Sequence, residues 1–206
     1  MRKWYQKSMA VLTAAACLFA GGTIGLARDS LPQLQLTAEA ANTYIGAAYG
    51  LQLEYEELED GTVEITKFVS STSTDIELPS TIDGKSVTSI GYDAFYECTN
   101  LTGVTIPDGV ASIGDLAFSG CTSLTSITIP DSVISIGDWA FDGCTSLTSI
   151  TIPDSVTSIG DYAFFSCSGL ASITIPDSVT SIGGSAFFSC SGLASITIPD
   201  SVTSIG

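Results

Sequence analysis

Five cysteines divide most of the chain into segments of equal length. Each lies 23 residues after the one before, and the sequence around it repeats with the same period. These ladder cysteines are Cys98, Cys121, Cys144, Cys167 and Cys190. A unit of this size can form one coil of a solenoid, but it is too short to bury its own apolar face. The units are therefore predicted to stack on one another.

The five full units share the pattern Ile-Gly-x-x-Ala-Phe-x-x-Cys-x-x-Leu-x-x-Ile-x-Ile-Pro-Asp-x-Val-x-Ser, with Val104 replacing the first paired isoleucine of the first unit. They cover residues 90–112, 113–135, 136–158, 159–181 and 182–204, and positions within a unit are numbered from its opening isoleucine. The chain stops two residues into a sixth unit, which predicts a truncated or fragmentary sequence.

Two short strands and one helical turn are predicted in each unit. Leu124, Ile127 and Ile129 follow the strand pattern of leucine-rich repeats, and proline ends that strand. Residues 133–136 form a second extended piece after the Pro-Asp turn. Asp138 lies where an N-cap belongs, so a helical turn is expected to begin there and to end near the cysteine.

The motifs AFxxC, LTSITIP and SVTSIG resemble those of the bacterial BspA-type leucine-rich repeat, over about residues 76–206. The resemblance implies a right-handed solenoid with mainly short β-strands, exported to a bacterial surface. Several members of such a family resemble adhesins that bind host or matrix components. Binding is thus the function that the resemblance implies.

Three segments precede the full units. Residues 1–40 are predicted to be a signal peptide or an uncleaved signal anchor, because basic residues precede the uncharged run Met9 to Ala27 and Ala-Glu-Ala ends at Ala40. Residues 41–75 are expected to form a capping β-hairpin around an Asp-Gly turn. Residues 76–89 form a half repeat. The predicted location is secreted or at the cell surface.

Charge and composition exclude several functions. The chain has 22 acidic and 6 basic residues, and no Lys or Arg follows Lys85, so nucleic acid is excluded as a partner. It has no histidine, and its many hydroxyls lack a basic partner that would activate them. We predict no enzymatic activity and no cofactor, and no small-molecule substrate is evident.

The ladder cysteines are interpreted as small buried fillers, with a disulfide pair or a metal site as the alternatives. Two aspartate ladders receive a similar interpretation, as turn and cap residues, with calcium as the alternative. One follows proline and the other follows glycine. The members are Asp108, Asp131, Asp154, Asp177 and Asp200 in the first, and Asp115, Asp138 and Asp161 in the second.

Positions 4 and 7 vary most between units and carry large apolar residues in the later ones. Exposed aromatic side chains anchor many interfaces, so these residues are the candidate partner-binding site. They are Trp139, Tyr162, Phe165, Phe188 and Leu116. The alternative is that they fill the outer core between coils.

The predicted function is that of an exported cell-surface binding scaffold for adhesion or interaction, with an extracellular protein or glycan as the partner. The alternative is a targeting or spacer module of a longer secreted enzyme or wall-anchored protein.

Overall fold

The computed structural model describes residues 42–46 and 50–206, so the predicted signal sequence lies outside the described residues. These residues form fifteen β-strands joined by turns. None of the described residues belongs to a helix that could cross a membrane.

Three antiparallel strands form the N-terminal cap. Strand β1 (Asn42–Ile45) pairs with β2 (Gln52–Glu57), and β2 pairs with β3 (Val63–Ser70). Strands β2 and β3 thus form a hairpin, and β1 adds a strand that the sequence pattern did not indicate. Strand β3 continues in parallel with β6 (Lys85–Ile90), which joins the cap to the first coil.

The half repeat contains a tight hairpin. Strand β4 (Asp75–Glu77) is followed by β5 (Thr81–Ile82), which pairs antiparallel with β6 across two residues. Those residues, Asp83 and Gly84, have φ angles of 50° and 77°, as a type I′ turn requires. The Tyr55 hydroxyl donates to the Asp83 carboxylate, so the cap also holds this turn through a side chain.

The remaining strands form two parallel ladders along the solenoid. Each coil contributes one strand to each ladder, except that residues 182–204 contribute none to the second. One ladder runs from β6 through β8 (Ser112–Ile113), β10 (Ser135–Ile136), β12 (Ser158–Ile159) and β14 (Ser181–Ile182) to β15 (Ser204–Ile205). The other contains β4, β7 (Gly103–Thr105) and β9 (Ser126–Thr128) in one sheet and β11 (Ser149–Thr151) and β13 (Ser172–Thr174) in another. The predicted repeat solenoid is confirmed.

The core is a column of identical side chains repeated from coil to coil. Position 6 contributes a continuous stack of phenyl rings that begins on Phe68 of the cap, with centroids 4.9–5.6 Å apart. The stacked residues of the coils are Phe95, Phe118, Phe141, Phe164 and Phe187. Strand isoleucines and the Val and Leu of each unit surround this stack, so each coil buries the apolar face of its neighbour.

Positions 2–9 of each unit form the third side of the coil, called here the turn side. The predicted helical turn is not helical: the segment is a series of turns. Position 4 has a positive φ in every unit, for example 58° at Trp139, and position 8 does as well. A residue with positive φ cannot continue a right-handed helix, which is why the expected N-cap at Asp138 begins none.

Backbone hydrogen bonds on the turn side join successive coils. The Phe118 amide donates to the Ala140 carbonyl at 2.8 Å, and the Phe141 amide donates to the Ala163 carbonyl at 2.8 Å. Amides on the strand side donate in the other direction, as from Ile134 to the Ala111 carbonyl at 2.9 Å. Every coil is thus bonded to both neighbours, which holds the turn side in register along the solenoid.

Candidate partner-binding face

The turn side presents a regular set of outward-pointing side chains. At positions 5 and 6 the Ala and Phe of each unit point into the core, for example Ala140 and Phe141, which are fully buried. Residues at positions 4 and 7 flank this pair and are less buried than it, except for the buried Ser119. Because the coils stack in register, equivalent residues of successive units form rows along the solenoid.

Four rings on this side form a continuous cluster, called here the aromatic row: Trp139, Tyr162, Phe165 and Phe188. Trp139 and Tyr162 stack with centroids 4.0 Å apart and planes 10° from parallel. Phe165 packs its edge against Tyr162 at 5.8 Å and stacks on Phe188 at 5.3 Å. The structure therefore brings all four candidate aromatic residues together across three successive coils.

The row is partly buried and partly open to solvent. Trp139, Tyr162 and Phe165 are half-buried, whereas the Phe188 side chain is 60% exposed. Leu116, the fifth candidate, is half-buried at position 4 of the preceding coil. The row thus packs between coils and also leaves apolar surface exposed.

Asp142 lies within the face, at position 7 between Ser119 and Phe165 of the neighbouring coils. It is half-buried, and the Ser119 hydroxyl donates to its Oδ2 at 3.3 Å. Burial raises the pKa of the Asp142 carboxyl above its ordinary value, against a smaller opposing effect of the Ser119 hydrogen bond. The face thus carries a partly desolvated carboxylate next to its aromatic rings.

Two tyrosines of the first coil extend the same side, and the sequence interpretation did not select them. Tyr92 at position 3 is 49% exposed and Tyr96 at position 7 is 48% exposed. Tyr96 occupies the same position as Phe165 and Phe188 in their units. That equivalence is the signal that could have identified it.

The aspartates that follow glycine bind the next coil. Oδ1 of Asp115 accepts the amide of Asp138 at 2.9 Å, and Oδ1 of Asp138 accepts the amide of Asp161 at 2.7 Å. Asp161 does the same for Gly184 at 2.6 Å. These carboxylates cap the backbone of a neighbouring coil, not a helix of their own.

Within residues 42–46 and 50–206, no group of three or more Asp, Glu, Cys or His residues is arranged to hold a metal ion.

The ladder cysteines are free thiols, and four of them are buried. Each buried thiol donates to the carbonyl oxygen of a phenylalanine in the preceding coil at 3.0–3.2 Å. Burial raises the pKa of Cys144 to about 12 and also raises that of Cys167 and Cys190. A small side chain with one weak donor therefore suits this position.

Cys98 differs from the rest because it is only half-buried, at the end of the ladder next to the cap. It lines a groove of about 540 Å³ together with the hydroxyl-rich segment 70–74 and residues 99–102. The neighbouring Cys121 thiol holds the pKa of Cys98 below its ordinary value, although partial burial opposes this. Cys98 is therefore the most reactive thiol of the ladder by both exposure and acidity.

A stack of 23-residue β-coils of this kind defines a leucine-rich-repeat scaffold. Residues 88–206 match the BspA type leucine rich repeat region in six copies. The chain belongs to this family, which confirms the resemblance inferred from its motifs.

Solved structures of bacterial repeat proteins share the fold. The leucine-rich repeat protein of T. pallidum is 33% identical with a TM-score of 0.69, over 78% of this chain and 80% of that one. A leucine-rich cell surface protein from Faecalibacterium prausnitzii is 34% identical with a TM-score of 0.57, over 80% of this chain and 50% of that one. The pneumococcal vaccine antigen PcpA, at 22% identity, shares the fold with a TM-score of 0.61 over 81% of this chain and 46% of that one. No curated protein sequence shows significant similarity to the chain.

Proposed function

We propose that this protein is a non-enzymatic adhesion scaffold that works at a bacterial cell surface and contacts an extracellular partner through the aromatic row. The observation that carries the proposal is the cluster Trp139, Tyr162, Phe165 and Phe188, four large rings held together on one side of a regular solenoid. Aromatic side chains of this kind supply most of the binding energy in many interfaces.

The rigidity of the scaffold supports this role. The rings are attached to turns that are hydrogen-bonded to the next coil, as in the bond from the Trp139 amide to the Asp161 carbonyl at 2.8 Å. Because neighbouring rings already pack on one another, binding would immobilise few additional side chains. Preorganisation of this kind lowers the entropic cost of association.

The binding proposal is tested with purified full-length protein on a surface coated with solubilised extracellular matrix. We expect the wild type to be retained and the variant with all four rings replaced by Ser to be washed off, with an unchanged circular dichroism spectrum. Serine is a suitable replacement because the chain itself has Ser185 at position 4 and Ser119 at position 7. Retention of the variant would exclude the row, and failure of the wild type to bind would exclude matrix adhesion.

The surface location is proposed from the leader-like residues 1–40 and from the cell-surface neighbour described above. It is tested by the intact mass of the native protein in the culture supernatant, in the cell-surface fraction and in the cell interior. A protein that begins at Ala41, found in either fraction, is the expected result. A protein found with its leader intact inside the cells would contradict export.

A further inference from the structure

The packing of the rings in the aromatic row indicates which chemical class of partner the row can bind. Trp139 and Tyr162 cover one face of each other at 4.0 Å, and Phe165 and Phe188 do the same at 5.3 Å. On its other side Trp139 faces the coil in which Leu116 holds the equivalent position. Sugar rings bind aromatic side chains through open ring faces, and stacking along this row covers one face of each ring. Ring edges and the exposed Phe188 side chain instead suit apolar side chains of a protein.

The negative charge of Asp142 indicates that the partner also carries a cation. Asp142 lies in the same face, is half-buried, and accepts a side-chain hydrogen bond from Ser119 at 3.3 Å. From Ser86 to the end of the chain there is no Lys or Arg, so the sequence offers no cation within these coils to pair with it. A carboxylate that is partly removed from water beside apolar surface is stabilised when a partner brings a cation to it.

We propose that the aromatic row and Asp142 together bind a protein segment in which apolar side chains flank an arginine or lysine. The apolar side chains cover the edges of the rings, and the cation pairs with the Asp142 carboxylate. This inference rests on the function proposed above and adds the chemical class of the partner. It also explains why an acidic residue stands at position 7 of unit 136–158, where the next two units carry phenylalanine.

The inference is tested by binding of the full-length protein to an array of immobilised synthetic nonapeptides and oligosaccharides. One peptide set combines Arg with Leu and Phe, a second replaces Arg with Glu, and a third replaces Leu and Phe with Ser. Neutral cello-, chito- and manno-oligosaccharides are immobilised beside them. Binding is expected on the first set alone, and it should weaken as salt is raised, because partly exposed ion pairs are screened.

Two matched variants isolate the carboxylate. Asp142→Asn is expected to weaken binding to the first peptide set about fivefold, as the loss of one charge-assisted contact. Asp154→Asn removes the same charge from an exposed Pro-Asp turn outside the row, and its binding should equal that of the wild type. Equal effects of the two substitutions would show that only net charge matters and would overturn the inference.

The remaining outcomes separate this inference from the proposed function. Binding to oligosaccharides, equal binding to the Arg and Glu peptides, or no binding to any peptide would overturn the partner assignment. If the variant with all four rings replaced by Ser is nevertheless washed off the matrix surface, the proposed adhesion function stands, and only the partner assignment fails. If that variant stays bound to the matrix, the row is not the site and both fail.

Discussion

The phenyl rings of Phe118 and Phe141 stack with their centroids 5.5 Å apart and their planes within 2° of parallel. Both side chains are fully buried, and each packs on rings of the coils before and after it. In a solenoid the interface between neighbouring units supplies much of the stability. Removal of one ring from this stack should therefore destabilise the folded protein.

Replacement of Phe141 by Ala should lower the free energy of unfolding by about 3–5 kcal/mol, because it opens a cavity between two coils. Urea unfolding followed by circular dichroism measures the change. Ile134→Ser is the control, since Ile134 is 55% exposed, and it should alter stability by no more than about 0.5 kcal/mol. A similar loss for both variants would mean that the stack does not hold the coils together.

Close approach of successive coils requires glycine at position 2. A Cβ on Gly160 would lie 2.5 Å from the Gly137 carbonyl carbon and 2.6 Å from the Asp138 amide nitrogen, both backbone atoms. Gly160→Ala should therefore destabilise the protein by about 1–3 kcal/mol, as overpacking does. Gly184→Ala is the matched control, because its Cβ would meet nothing closer than 3.6 Å. Thermal unfolding that is equally affected by both substitutions would contradict this spacing.

The carboxylate of Asp138 should stabilise the solenoid through its bond to the Asp161 amide. Asp138→Ala leaves that amide without its partner and should cost about 1 kcal/mol, as the loss of a capping residue does. Asp131→Ala, in the exposed turn after Pro130, should cost less. If the two variants unfold at the same urea concentration, the ladder contributes nothing to stability.

Thiol reactivity should single out Cys98 among the ladder cysteines. A lowered pKa gives more thiolate at a given pH, whereas the raised pKa of Cys144, about 12, keeps that buried thiol protonated. Iodoacetamide at pH 8 should alkylate Cys98 in the native protein and the other ladder cysteines only after unfolding. Peptide mapping by mass spectrometry identifies the modified residue. Early alkylation of Cys144 would contradict its burial.

The charge on Asp142 should reduce stability at neutral pH. Its pKa is raised by burial in the folded protein, so the protonated form is favoured on folding, and that contribution is lost as pH rises through the folded pKa. Asp142→Asn should accordingly be more stable than the wild type at pH 7 and equal to it near pH 3. Equal stability at both values would mean that the carboxylate is fully solvated. Retention of a destabilising charge is typical of functional sites.

The repeat made the fold predictable, because a 23-residue period with apolar residues at fixed positions permits little besides stacked coils. The turn side was harder to predict. Gly137 followed by Asp138 has the pattern of a helix N-cap, but φ is positive at Trp139 two residues after that glycine, in conflict with a helix. Glycine at position 8, as in Gly143, was a signal for this left-handed geometry that the cap pattern outweighed.

The sequence predicted which residues belong to the aromatic row, but only part of their arrangement. Equal positions in successive units place Trp139 beside Tyr162, and their stacking follows directly from the period. The edge contact of Phe165 with Tyr162 links positions 4 and 7, which requires the curvature of the turn side. The partial burial of Asp142 likewise depends on its neighbours in adjacent coils. Tertiary packing decides both features.

The most direct test of the binding role compares two exposed apolar residues that differ in location. Phe188, in the aromatic row, is 60% exposed, and Ile134, outside it, is 55% exposed. Replacement of either by Ser should leave the circular dichroism spectrum and the unfolding midpoint close to those of the wild type. We expect Phe188→Ser to reduce retention on the matrix-coated surface and Ile134→Ser to leave it unchanged. Equal retention of the two variants would contradict a binding role for the row.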